Sequence, residues 1–263
     1  MTALRALVRK ELASLFGAPT AYLTLTAVAL VTALIFFDHL RVYNQLLFVY
    51  STSTLGGFES DSIPDSVNLW DSVFFPVMEQ LALTLLAAVP LVTMRVFAEE
   101  RARGTDELLL ATGLGPGQIA AGKFAVTFFF VVLMLAVSFL YPAVAIGAGG
   151  LGATHLAAVF LGLSLHAIGV ASIGLACSAF TSSQLVAAAS AWAAAFLLWD
   201  FAWIYPFVNE RVAGVLDALS LHPHYGAFAE GVVSLENVAY FAGLALVGGA
   251  LARFSFDLRR VLS

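Results

Sequence analysis

Charge is scarce in this chain: Asp, Glu, Lys and Arg together make up 11% of 263 residues. With 61% hydrophobic residues and a mean hydropathy of +0.94, too little polar side chain remains to cover a water-soluble globule. Cysteine is scarcer still. Cys177 stands alone, which excludes an intrachain disulfide and argues against a cysteine-based metal site. The net charge of -5 carries little information by itself, because the side of the membrane on which each charge lies matters more. These shortages leave a polytopic membrane protein.

What is abundant is the long apolar run. Residues 18–37, 74–97, 124–146, 156–180, 185–207 and 238–254 each approach or exceed the length needed to cross a bilayer at about 1.5 Å rise per residue. The first follows a basic segment, as a signal peptide would, but it is longer than the usual apolar core of one and reads as a retained span. The expectation is an all-α fold with six transmembrane helices, built as a single unit over 1–263. Residues 1–17 space their leucines as an amphipathic helix and are expected along the membrane surface, until Pro19 turns the chain into the first span. Residues 38–73 read as a polar loop, with a short interfacial helix over 43–50. Residues 147–155 read as a tight turn, and 209–235 as an outer re-entrant or interfacial segment.

Alternating sides from the N-terminus gathers Arg5, Arg9, Lys10, Arg95, Arg101, Arg103, Lys123, Arg253, Arg259 and Arg260 on one face. Only Arg41 and Arg211 fall on the other. That asymmetry places both termini and the 98–122 hairpin in the cytoplasm. A multi-pass membrane protein follows.

Polar residues within the apolar runs carry any hidden chemistry. Glu79 and Asp200 each lie about 16 residues, or roughly 24 Å, from a cytoplasmic end, close to the outer headgroups. They read as interfacial residues or, alternatively, as parts of an outward gate. Pro90 and Pro142 are expected to kink their helices. His166 follows Ser164 by two positions, and residues two apart on a helix point to different faces. A nucleophile–base pair is thereby excluded, and His166 is expected to hydrogen-bond between helices, with Ser172 and Ser178 favouring close packing. His222 and His224 lack an evident third ligand, so a helix break or interfacial anchor is expected and no metal site. The residues from Gly117 to Lys123 imitate the spacing of a phosphate-binding loop, but Phe124 stands where a Ser or Thr would bind magnesium. Lys123 reads as an anchor at the cytoplasmic interface, and no nucleotide is expected on this chain.

The hairpin between the second and third spans remains. Thr105 can cap a short helix whose first turn holds Asp106 and Glu107, with Leu108, Leu109 and Leu110 following and Gly113 as terminator. Glu99-Glu100-Arg101, Gly104-Thr105, Glu107 to Leu110 and Gly122-Lys123 resemble the E-R-x-x-G-T-x-E-x-L-L…G-K signature of the membrane subunits of type-2 ABC exporters. The detail is most similar to the gliding-motility-associated permease branch. Arg9 to Leu12, the Ser14, Pro19, Tyr22, Leu23 series, Ser183 to Ala187 and the stretch from His224 to Val232 also match. Relatives commonly carry a proline near 113 and a Ser or Thr near 115, where this chain has Gly113-Leu114-Gly115.

The resemblance implies a type-2 ABC exporter fold and a non-catalytic permease that pairs with a second permease, as homodimer or with a paralogue. It implies a cytoplasmic ABC ATPase subunit that binds ATP and Mg, met by Glu99, Glu100, Arg101, Gly104, Thr105, Asp106, Glu107 and Leu108 to Leu110. An accessory periplasmic or membrane protein fits the same assembly, the lipid bilayer surrounds it, and no nucleic acid takes part. The alternative, an ATP-independent secondary transporter or channel, would call for ion-coupling carboxylates at mid-span, whereas Glu79 and Asp200 fall at the outer edge.

Overall fold

Runs of helix formers with few internal breakers give a chain of helices, most of them bounded by glycine, proline or a polar residue. A computed structural model describes residues 2–55, 67–105, 113–147 and 152–262, and among these there is no β-strand. The helices are α1 (Thr2–Gly17), α2 (Pro19–Leu55), α3 (Phe75–Arg103), α4 (Pro116–Gly147), α5 (Ala153–Phe180), α6 (Gln184–Leu197), α7 (Glu210–Leu219), α8 (Leu221–Ala229) and α9 (Leu235–Leu262). A π-helical turn at Trp70–Phe74 leads into α3, and a 3₁₀ turn at Ala202–Phe207 precedes α7.

α5 is the central post. It packs against α3, α4, α6, α8 and α9, and Leu163, Ala167, Val170 and Ala171 on it are completely buried. Small residues allow the close approaches that membrane helices need. Ser178 on α5 donates to the carbonyl of Met94 at 2.9 Å and accepts from the amides of Phe97 and Ala98, stitching α5 to α3. His166, fully buried, bonds the carbonyl of Ala82 through Nε2 at 3.2 Å, so the expected interhelical bond is present. Pro90 and Pro142 both lie inside continuous helices.

Gly248 of α9 presses on the backbone of α5, where a Cβ would come within 2.7 Å of the Ser172 carbonyl. Backbone there cannot yield cheaply, so Gly248→Val is expected to cost on the order of 2 kcal/mol. Gly243→Val on the same helix meets nothing within 4 Å and serves as control. Thermal unfolding in detergent should show a fall of roughly 5 °C for the first variant alone.

Two expectations need correction. Over residues 38–55 the expected polar loop, with its separate helix at 43–50, is instead the continuation of α2 to Leu55, and residues 56–66 of that loop lie outside the described residues. No glycine or proline interrupts residues 38–55, and Ser51 and Thr52 return their hydroxyls to the carbonyl of Phe48. At about 1.5 Å per residue the 37-residue α2 measures some 55 Å, well beyond a bilayer core.

The run 185–207 is the second. Among the described residues five helices are long and apolar enough to cross a membrane, namely Pro19–Thr52, Trp70–Arg103, Pro116–Ala145, Ala153–Phe180 and Leu235–Leu258, whereas the apolar Gln184–Leu197 has 14 residues. It ends because the carbonyls of Leu198 and Trp199 accept from the amides of Leu221 and His222, at 2.8 and 2.9 Å, instead of extending the helix.

The segment after α6 therefore folds back on the bundle. Tyr225 and Phe228 of α8 are completely buried, the Tyr225 ring lying 5.7 Å from that of His166, while Gly231 abuts His155 near the start of α5. α8 thus begins well down the bundle and climbs towards the end where α5 starts. The helix break expected around His222-Pro223-His224 falls just before it, at the extended Ser220, and Pro223 sits in the first turn of α8, where a proline needs no amide partner.

Candidate functional site: the base of the α3–α4 hairpin

The expected amphipathic helix forms as α1, and its inward face brings Leu7, half-buried Leu4 and, unexpectedly, Glu11 against α4. α4 answers with a buried stripe, Ile119, Ala120, Lys123, Phe124, Thr127 and Phe130, at helical spacing. Lys123 therefore lies in the buried stripe and is only 1% exposed. Its Nζ reaches Glu11 Oε1 at 3.1 Å, Glu100 Oε2 at 3.0 Å and the Val96 carbonyl at 2.9 Å. Lys10 closes the ring from outside, 2.7 Å from Glu100 Oε1. Burial pulls the Lys10 ammonium down, but its bonds and charge contacts with Glu100 and Glu11 outweigh this and hold its pKa above the ordinary value. Four charges on three helices thus form one network, satisfied on all sides.

This overturns the reading of Lys123 as an interfacial anchor. The phosphate-loop mimic is the opening of a regular helix, its lysine committed to two carboxylates, which does not fit a phosphate cradle.

The neighbouring residues divide by direction. Glu99 pairs with Arg95 and Arg103 along α3, at 3.5 and 2.7 Å, and Arg95 reaches the Thr20 hydroxyl of α2. Arg101 turns towards α9 and donates to Ser255 Oγ at 3.0 Å. Gly104 ends α3 in the left-handed conformation with φ 66°, and the Thr105 amide and hydroxyl both return to the Glu100 carbonyl. Gly113 also takes positive φ, at 76°, just before α4. Asp106, Glu107, Leu108, Leu109 and Leu110, on which the expected docking helix rests, lie outside the described residues.

A family model for "ABC-2 family transporter protein" matches residues 46–212, more than half of the chain. The chain belongs to the ABC-2 transporter family. It is accordingly a multi-pass membrane protein and the permease component of an ABC transporter, a kind of subunit that is generally non-catalytic and typically works with an ATPase subunit. Among curated proteins none matches the chain.

In this ABC-2 protein the two suspected outer-gate residues lie together near the start of α8. Glu79 Oε2 is 3.1 Å from His222 Nε2, and Asp200 Oδ1 accepts from the Ala202 amide at 2.7 Å while its charge also reaches His222. His224 is engaged separately, bonded to Asn237 at 2.8 Å and stacked on Tyr240. Among the described residues no three His, Cys, Asp or Glu side chains gather as a metal site would require.

Proposed function

We propose that this chain is the membrane subunit of an exporter, coupling ATP hydrolysis in a separate cytoplasmic ATPase to outward movement of a substrate across the bacterial inner membrane. In this reading the chain crosses six times, with α6 completed by the fold-back of α8, and both termini and the 98–122 hairpin face the cytoplasm. It pairs with a second permease, a homodimer partner or a paralogue, and lies in the gliding-motility-associated branch.

The observation that carries the proposal is the rigid base of the hairpin. A coupling element must transmit displacement and not absorb it. The Glu11–Lys123–Glu100 network ties the end of α3 to the start of α4 and to α1, while Arg101 ties it to α9. A push at the 106–112 tip therefore moves four helices together. From Arg103, α3 then carries the motion some 36 Å at about 1.5 Å per residue, to where Glu79 holds His222 at the fold-back segment. Residues 99–105 serve here as the hinge of the lever, and Asp106 to Leu110 as the surface that meets the ATPase.

The test is co-expression with a Walker-motif ATPase encoded beside it. The two should co-purify, and the ATPase rate in proteoliposomes should change on assembly. No complex with any neighbouring ATPase, together with transport activity by the permease alone, would sink the proposal.

A further inference from the structure

A cleft of about 650 Å³ opens beside the ion network, between α1, the start of α2, the end of α3 and the start of α4. That volume suits a lipid-sized ligand. Its inner wall is apolar, with Leu7, Ala21, Val92 and Val126 buried there. Its charges are sorted by depth. The carboxylates are recessed, Glu11 and Glu100 at 14% and Glu99 at 27% exposure, and each already has a cation. Lys123, at 1% exposure, is committed to those carboxylates, and the other three cations stand forward, Arg95 at 31%, Lys10 at 54% and Arg103 at 71%. The mouth therefore presents positive charge while the wall behind it presents methyl groups.

From Arg95 to Leu91, and from Thr20 to Thr24, the lining runs about 6 Å along the span-forming helices at 1.5 Å per residue, so the cleft passes from headgroup level into the acyl zone. A cationic mouth over an apolar wall at that level matches an anionic phospholipid, phosphate outside and acyl chain within. We infer that this cleft is a binding site for one anionic phospholipid of the leaflet next to α1, wedged between α1 and the base of the hairpin. The bound lipid braces α1 against α3 and is distinct from any transported cargo. The inference rests on the reading of this end as the membrane surface where the hairpin emerges, but its test needs neither ATPase nor transport.

Purified protein would be titrated in mixed micelles with phosphatidylglycerol or phosphatidylcholine and examined by native mass spectrometry. Wild type should keep one phosphatidylglycerol at least tenfold more strongly than phosphatidylcholine. Arg95→Gln/Arg103→Gln should abolish the preference, and Arg95→Lys/Arg103→Lys should restore it. Thr24→Phe fills the cleft without altering charge, and should lose both lipids while unfolding at the wild-type temperature. Arg211→Gln is the control and should change nothing. Equal retention of the two lipids by wild type, or a preference untouched by the arginine pair and by Thr24→Phe, overturns the site. Displacement by millimolar inorganic phosphate would do so too, since it would mark a soluble anion in place of a lipid. If the lipid arms succeed while the ATPase fails to assemble, the export reading falls and the lipid site stands.

Discussion

Lys123→Met should lower the unfolding temperature of the detergent-solubilised protein by about 10 °C, the largest single-residue effect expected anywhere in the chain. Removing one partner of a buried ion pair costs about 3–5 kcal/mol, because the other charge is left without compensation. Here two carboxylates are left, and Lys10, half in solvent, can serve only part of their need. The Val96 carbonyl also loses its donor. For a chain of this size each kcal/mol moves the midpoint by about 2–4 °C, and the low end of the cost range already gives the figure. The decisive arm is the rescue. Lys123→Met/Glu100→Gln neutralises the carboxylate closest to the vacated ammonium, and should recover at least half of the loss. An interfacial anchor would lose under 1 kcal/mol on mutation to Met, and would gain nothing from Glu100→Gln.

Why this network escaped a linear reading is instructive about what one sequence can carry. The long apolar helices and the hairpin were legible because each depends on local composition: hydrophobic length for the spans, glycine and proline for the ends. The buried face of α4 was not legible: Ile119, Ala120, Phe124, Thr127 and Phe130 recur at helical spacing with Lys123 among them, but Ala125, Val126, Phe128 and Phe129 make the other faces apolar too. What the spacing could not supply was the partner. Glu11 is more than a hundred residues away, on a helix whose inward face is set by docking on α4 and not by its own pattern of charges.

The two misjudged segments have different origins. Residues 38–55 carry enough Asp, Arg, Asn and Ser to resemble a loop, but an α-helix tolerates such residues on its exposed faces where no glycine or proline intervenes. The run 185–207 is apolar throughout, and length alone suggested one span. Its helix stops at Leu197 because α8, arriving from twenty-odd residues further on, takes the last carbonyls. Only this second error comes from a contact between distant parts of the chain.

The same sorting of inward and outward residues sharpens the second large effect. Charge reversal at Glu107 should reduce ATPase stimulation by the permease at least tenfold, while leaving the unfolding temperature within about 1 °C of wild type. The expectation comes from the resemblance, which puts Glu107 on the docking surface, and from the cost of a like-charge contact in an interface, several kcal/mol against 1.4 kcal/mol per factor of ten. Arg101→Glu should behave in the opposite way. Arg101 points to Ser255 of α9 and follows Glu100 in the chain, so reversing it breaks the α3–α9 bond and sets another carboxylate at the end of α3. The expected result is a loss of stability of about 2–3 kcal/mol, in which weakened coupling follows from damage to the fold. Measuring unfolding temperature and ATPase stimulation on both variants separates the roles. Equal loss of coupling at unchanged stability would place Arg101 on the docking surface after all, and full stimulation by Glu107→Lys would remove the 106–112 tip from the contact with the ATPase.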